Sequence, residues 1–176
     1  KADTLDGRWS GFKVAHGEAR RGETSVDIDT LKKIGRAMYA VPDGYDLNKK
    51  LIRNLDQKKT MFETGAGIDW ATAEALAFGS LLIRGNGVRL SGQDSGRGTF
   101  SQRHSVWTHQ NTEERYIPLN NIDPAQKMFE VIDSPLSEAS VLGFEYGFSQ
   151  AEPNSLILWE AQFGDFANGA QVIMDQ

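Results

Sequence analysis

The sequence predicts an α/β fold, a three-layer domain with a mainly parallel sheet and flanking helices, preceded by a helical lead-in. From residue 65 onward, short apolar segments typical of strands alternate with segments typical of helices. This alternation favours crossover connections, which make neighbouring strands parallel. The 176 residues suffice for one domain, but the pattern stops at Gln176 in mid-sheet, so we expect the domain to be truncated.

The composition argues against several classes of function. The chain has no Cys, which excludes disulfides, Cys-based zinc sites and thiol nucleophiles within it. Its net charge is −5 and it has no stripe of basic and aromatic residues, so we expect neither nucleic acid nor a membrane as a partner. No apolar run approaches the ~18 residues of a membrane span. The 3 His show no metal-ligand spacing, so we predict no metal site in this chain.

The N-terminal part divides into an irregular arm, residues 1–26, and a helical connector, residues 27–64. The arm is polar, rich in Gly and Arg, and lacks the period of a helix or a strand. In the connector, Asp27 is placed as the N-cap of a first helix, and a second amphipathic helix follows over residues 48–62. The second helix carries basic residues that form either a solvated face or a binding patch: Lys49, Lys50, Lys58 and Lys59.

Residues 65–176 form the predicted, partial α/β domain. Asp69 is placed as the N-cap of a helix over 70–84, whose apolar residues are so widely distributed that we expect packing on several sides. The segment 155–161 is apolar enough for a strand that is buried on both faces. The other predicted elements are strands at 88–91 and 128–132 and helices at 137–150 and 165–176.

A Gly-rich loop, residues 91–100, follows the first strand, where α/β proteins place ligands. Its glycines expose backbone N–H groups, and Arg97 could bind an anion through two hydrogen bonds. The alternative is a tight structural loop in which Asp94 and Arg97 pair with each other. The common phosphate-binding motifs are absent from it, so the residues alone leave both interpretations open. Arg103 and His104 follow closely and share this ambiguity.

Two further groups of residues are candidates for chemistry. Glu138 falls in the first turn after a strand-to-helix junction, with Ser137 or Ser134 as the N-cap. A favourable acid at a helix N-terminus explains it as well as a proton-transfer role does. The cluster WEAQFGDF, residues 159–166, ends a strand with aromatics and Gly and suits a flat ring ligand. Aromatic core packing is the alternative explanation.

Much of the chain also matches a known pattern, in the runs 67–79, 89–104 and 159–171 and the shorter run 144–148. In these runs it resembles the thiamine-dependent decarboxylating component of 2-oxoglutarate dehydrogenase. The resemblance covers nearly the whole chain and is strongest over 65–176. Members of this family are several times longer. The resemblance therefore implies an excised piece, a helical connector followed by part of a transketolase-type pyrimidine-binding domain.

The resemblance also implies a cofactor, a reaction and partners. Family members bind thiamine diphosphate with Mg²⁺, decarboxylate 2-oxoglutarate, and transfer succinyl to the lipoyl group of an acyltransferase component. They work as homodimers, in the bacterial cytoplasm or the mitochondrial matrix. The chain lacks the Gly-Asp-Gly motif of the diphosphate site, so the diphosphate and metal ligands would lie outside it. Alternatives are a non-catalytic assembly fragment and a related 2-oxoadipate enzyme.

The same resemblance implies roles for individual residues. Ser137-Glu138 matches a motif whose Glu hydrogen-bonds the aminopyrimidine ring and favours the imino form of its amine, the base that activates the cofactor. Phe163 matches an aromatic residue that stacks on this ring, with Phe166 as the second candidate. For the loop, three roles stay open: substrate contact, contact with the partner subunit, or support of the loop itself. The loop candidates are Gln93, Asp94, Arg97, Arg103 and His104.

Overall fold

A computed structural model describes residues 7–176, so the first six residues of the predicted arm lie outside the described part. The rest of the arm is mostly exposed and has two short 3₁₀ turns, Gly7–Trp9 and Gly17–Arg21. It contacts the far end of the domain, where Arg8 pairs with Glu152. This pair places the arm against the C-terminal end of the helix Glu138–Ala151.

The helices begin where the sequence places their caps. The side chains of Asp27 and Asp69 accept hydrogen bonds from the backbone N–H groups of Thr30 and Thr72, at 2.8 and 2.7 Å, which confirms both predicted N-caps. None of the helices in residues 7–176 has the length and apolarity needed to cross a membrane. The α-helices of this part are α1 Ile28–Tyr39, α2 Lys49–Thr64, α3 Trp70–Ile83, α4 Glu138–Ala151 and α5 Gln171–Asp175.

The strands form a parallel sheet and a small ribbon. They are β1 Gly87–Gly92, β2 Trp107–Thr108, β3 Arg115–Tyr116, β4 Phe129–Asp133 and β5 Ser155–Glu160. The sheet has the order β4-β1-β5 with all strands parallel, and Leu90 of its central strand lies opposite Val131 and Leu158. The predicted α/β class with a parallel sheet and flanking helices is therefore confirmed.

Helices cover both faces of the sheet. Successive side chains of β1 point to opposite faces, so each face packs against different helices. Val88 and Leu90 face α1 and α3 and belong to the main core. Arg89 faces α4, where its Nε donates to both carboxylate oxygens of Glu145 at 3.0 and 2.8 Å. The core on the α1 and α3 side consists of Ile34, Met38, Phe78, Leu82, Val88, Leu90, Leu119, Ile122 and Phe129.

The antiparallel ribbon of β2 and β3 is an element that the sequence pattern did not predict. Each strand has only two residues, too few to show an alternation. Trp107 of β2 is buried, and the hydroxyl of Tyr45 donates to the carbonyl oxygens of Trp107 and Glu114 at 3.1 and 2.6 Å. With Leu47 and Leu55, Trp107 forms a second core that joins α2 to the ribbon.

Two expectations for the C-terminal part are wrong. β5 is not buried on both faces, because it is the edge strand of the described sheet and most of its residues are partly exposed. The predicted helix over 165–176 is instead a 3₁₀ turn, Asp165–Ala167, followed by the short α5. Asn168, whose ψ is −117°, interrupts the helical backbone between them.

Candidate functional site

The three strands of the sheet end side by side. Gly92 of β1 lies opposite Asp133 of β4 and Glu160 of β5, so the three loops that follow leave the same edge. This carboxyl edge is where open α/β sheets bind ligands. A Cβ atom at Gly92 would come within 2.7 Å of the carbonyl oxygen of Glu160. Glycine is therefore needed for the close approach of β1 and β5 at this edge.

The Gly-rich loop after β1 is held by its own charges. Arg97 donates through Nε to Asp94 at 3.1 Å and forms an ion pair with the same carboxylate through one terminal nitrogen. The backbone N–H of Gly98 donates to the carbonyl of Asp94 at 2.8 Å, and that of Gly96 donates to the carboxylate of Asp133 at 2.9 Å. Asp94 and Arg97 thus pair with each other, as the structural interpretation of this loop predicts.

Arg103 joins three parts of the fold from a buried position, with 7% of the residue exposed. Its guanidinium donates to Glu74 of α3 at 2.7 Å and to the carbonyl of Ser95 at 2.9 Å, and it pairs with Glu160 at the end of β5. Burial alone would lower the pKa of Arg103, but the two carboxylates raise it, so the side chain stays cationic. These contacts link α3, the loop after β1 and the end of β5.

His104 is half-buried beside other cations and has a positive φ of 46°, which is uncommon for a residue with a side chain. Burial and the charges of Lys58 and Arg97 lower the pKa of its imidazole, with Asp94 acting in the opposite sense. Lys58 was expected to point outward, but it is partly buried, and burial lowers its pKa as well. Its Nζ reaches the carbonyl oxygen of Arg103 at 3.5 Å.

The segment after β5 begins with a tight turn, Gln162–Asp165. The backbone N–H of Asp165 donates to the carbonyl of Gln162 at 2.9 Å, and the central residues Phe163 and Gly164 have φ of 52° and 86°. This is the pattern of a type I′ turn, which favours Gly and Asn at its centre. A Phe residue in this conformation costs roughly 1–2 kcal/mol.

Phe163 is therefore held in an unfavourable conformation, and its ring is also exposed. The residue is 91% exposed, and Phe166 is 58% exposed. Core packing, the alternative explanation of this cluster, is wrong for Phe163. The buried Asp165 stabilises this turn. Its carboxylate accepts hydrogen bonds from the backbone N–H of Gln162 at 2.9 Å and from the side-chain amide of Gln93 at 3.1 Å.

Glu138 is the first residue of α4, at the predicted strand-to-helix junction. Ser137 occupies the N-cap position, but its hydroxyl bonds Ser140 at 2.9 Å and not the backbone. Within residues 7–176, no side-chain hydrogen bond or ion pair engages the carboxylate of Glu138. A Cβ at Gly169 would come within 2.7 Å of this carboxylate, so Gly169 leaves the space that Glu138 occupies.

Sequence reasoning missed the residues that support this edge. Asp165 and Gly169 both lie in the run that carries the resemblance, but neither has a signal of its own, since their roles depend on contacts across the fold. Buried polar atoms without a partner in the described part of the chain are Ser91 Oγ, Ser95 Oγ and Gln162 Nε2. No group of three or more His, Asp or Glu side chains is arranged to hold a metal ion in residues 7–176.

Comparisons with known proteins agree with the fold. Residues 66–176 match the family described as transketolase, pyrimidine binding domain. The whole chain aligns with 2-oxoglutarate dehydrogenase E1 components, at 57% identity for Brucella anthropi and 56% for Brucella canis and Brucella suis. It spans 18% of the length of these relatives. The resemblance seen in the sequence is confirmed, and the chain belongs to the transketolase-type pyrimidine-binding domain family.

Proposed function

We propose that the chain supplies the aminopyrimidine half of a thiamine diphosphate site in a longer protein that decarboxylates 2-oxoglutarate. The observation that carries this proposal is Phe163, whose ring is 91% exposed although its backbone has a φ of 52°. Stability of the chain explains neither the exposed ring nor the unfavourable backbone. Such local strain is typical of residues that contact a ligand.

Three side chains in these segments suit a flat aminopyrimidine ring. The ring of Phe163 offers a face for stacking, and Phe166 is a second exposed aromatic side chain three residues further on. The carboxyl group of Glu138 is free of described protein partners and can bond a ring nitrogen. The missing Cβ of Gly169 gives this carboxyl its room.

The roles of these residues follow from the chemistry of the cofactor. Thiamine diphosphate supplies the nucleophilic carbon that decarboxylation of a 2-oxo acid requires. In the proposal, Glu138 holds a proton at the pyrimidine ring nitrogen and thereby sets the basicity of the neighbouring amine. Phe163, with Phe166 beside it, fixes the plane of the ring.

The remaining parts of the site belong to the longer protein in this proposal. The diphosphate and Mg²⁺ ligands lie outside this chain, with the second half of the site supplied by a homodimer partner. The succinyl group passes to the lipoyl group of an acyltransferase component. Because the relatives reported above are bacterial, the bacterial cytoplasm is the proposed location. The isolated chain is expected to be inactive.

For the organisation of the chain we propose the irregular arm 1–26, the connector 27–64 and the partial pyrimidine-binding domain 65–176. For the loop after β1 we propose support of the cofactor edge as the main role. Gln93 donates a hydrogen bond to Asp165, the last residue of the turn that contains Phe163. Arg103 forms an ion pair with Glu160 and so joins the loop to the end of β5. The paired state of Asp94 and Arg97 supports the same role.

Substitution of Glu138 in the longer protein tests the proposed function. Glu138→Gln keeps the size of the side chain and removes the carboxyl proton, so kcat for 2-oxoglutarate decarboxylation should fall by roughly 10²–10⁴. The circular dichroism spectrum should stay unchanged, because no described contact of the fold depends on this carboxyl.

Glu63→Gln is the matched control, since Glu63 is an exposed acid on α2 with only a long contact to Lys59 at 3.8 Å. It should keep normal turnover. Near-normal turnover of Glu138→Gln would remove Glu138 from the proposed role. Decarboxylation by the 176-residue chain alone would contradict the proposal that half of the site lies elsewhere.

A further inference from the structure

An open groove lies between α2 and the loop that follows β1. Its volume is about 740 Å³, within the range of small-molecule sites. One wall is the face of α2 that carries Lys50 and Arg53, and the other wall includes Arg97 and His104. We call this surface the α2 groove. Glu138, Phe163 and Phe166, the residues proposed to contact the pyrimidine, are not part of it.

The α2 groove is positively charged although the chain as a whole has a net charge of −5. Of the described residues that line it, none is an Asp or a Glu. Lys50 and Arg53 are exposed and form no ion pair within residues 7–176. Arg97 uses Nε and Nη2 for Asp94, which leaves its Nη1 available. Lys50 and Arg53, which have no carboxylate partner among the described residues, therefore attract anions to this wall of the groove.

Helix stability does not explain the position of Lys50. Lys49 and Lys50 occupy the first turn of α2, which contains no acidic residue. A cation at this end of a helix is unfavourable, because the helix dipole is positive there. Elsewhere on the same helix, Lys59 approaches Glu63 at the favourable four-residue spacing. Lys50 therefore lacks the favourable placement that Lys59 has on the same helix.

The other groups of the groove suit a polar organic molecule. The amide side chains of Asn54 and Gln110 can donate and accept hydrogen bonds, and Leu51 offers an apolar contact. His104 also lines the groove, and the charges of Lys58, Arg97 and Asp94 act on it.

We propose that the α2 groove binds a small molecule that carries a phosphate group, with Lys50 and Arg53 as its main charge contacts. Arginine and lysine are the side chains that proteins use for phosphate, Arg through paired hydrogen bonds and Lys as a point charge. Arg97 and His104 contact the same ligand from the opposite wall. The phosphate comes either from inorganic phosphate or from a phosphorylated organic molecule of nucleotide size.

Calorimetric titration of the longer protein tests this proposal. The protein is first saturated with thiamine diphosphate and Mg²⁺, so that any cofactor site is filled, and is then titrated separately with inorganic phosphate and with uridine 5′-diphosphate at low salt. Binding of both probes supports a site for the phosphate group alone. Binding of the nucleotide only supports a site that also reads the organic part.

The double variant Lys50→Ala/Arg53→Ala should weaken binding at least tenfold, or about 1.4 kcal/mol. Lys59→Ala is the matched control, because it removes one charge from α2 outside the groove, and it should change the affinity less than twofold. Unchanged circular dichroism of the variants shows that the fold is kept. Absence of binding by both probes, or equal affinities of the wild type and the double variant, would overturn the proposal.

Discussion

The loop after β1 and the segment after β5 leave the same edge of the sheet, but they use their side chains in opposite ways. In the loop, the charges of Arg97 and Arg103 are paired with carboxylates of the chain. After β5, the ring of Phe163 is exposed in an unfavourable backbone conformation. Glu138, whose carboxylate lies beside Gly169 of the same segment, has no described partner. The difference teaches that glycine and charge content alone do not identify a binding site. An exposed aromatic ring on a strained backbone, as at Phe163, is a better indicator.

The largest expected effect on the free energy of unfolding concerns Arg103, which links the loop after β1 to α3 and β5. Arg103→Ala leaves Glu74 and Glu160 without their partner in a partly buried place, and we expect it to lower the free energy of unfolding by about 3 kcal/mol. Urea denaturation, followed by circular dichroism, measures this change.

Arg97→Ala is the matched control in the same loop. Arg97 is largely exposed and its pair with Asp94 is local, so its loss should cost about 0.5 kcal/mol or less. The comparison depends on the difference between the buried ion pairs of Arg103 and the exposed pair of Arg97. Equal decreases in the free energy of unfolding for the two variants would contradict it.

A smaller effect concerns the pH dependence of stability. Burial and the charges of Lys58 and Arg97 lower the pKa of His104 below its ordinary 6.5, against the opposing charge of Asp94. As the pH falls, the imidazole of His104 is therefore protonated at a higher pH in the unfolded chain than in the folded protein. The contribution of His104 to stability is complete above about pH 6.5 and is lost as the pH falls towards the folded pKa.

His104→Asn should remove this part of the pH dependence, because Asn tolerates the positive φ and does not titrate. Urea denaturation at about pH 7.5 and about pH 5.5 should show a larger loss of stability for the wild type than for the variant. The same loss in both proteins would show that His104 does not contribute in this way.

The fold was largely predictable because its signals are local. The caps Asp27 and Asp69 and the apolar strand β1 follow from short-range patterns, and all three are where the sequence places them. The ribbon was not predictable, because strands of two residues show no period. The exposure of β5 was missed because an apolar segment does not reveal whether it lies at the edge of a sheet.

The candidate site was predictable only in part, because some of its features depend on contacts between distant parts of the chain. Residue types and junctions indicate Glu138 and the cluster 159–166 as candidates, and the family resemblance singles out Phe163, but exposure and φ depend on the surrounding chain. The role of Arg103 was left open, since its partners Glu74 and Glu160 lie 29 and 57 residues away in the sequence. Long-range pairs of this kind carry no local sequence signal.

The exchange Phe163→Asn separates stability from cofactor binding. Asn accepts a positive φ, so the free energy of unfolding should rise by about 1 kcal/mol. Loss of the ring should also weaken thiamine diphosphate binding by the longer protein, by roughly 3- to 10-fold. Phe100→Asn is the control, because Phe100 is 87% exposed but lies in the loop after β1, and it should leave the affinity unchanged.

Calorimetric titration of Phe163→Asn with thiamine diphosphate, beside a urea denaturation of the same variant, is the most direct test of the central claim. The account predicts a more stable protein that binds the cofactor more weakly. An unchanged affinity for thiamine diphosphate would contradict it, because Phe163 would then be an exposed ring without a role in the site.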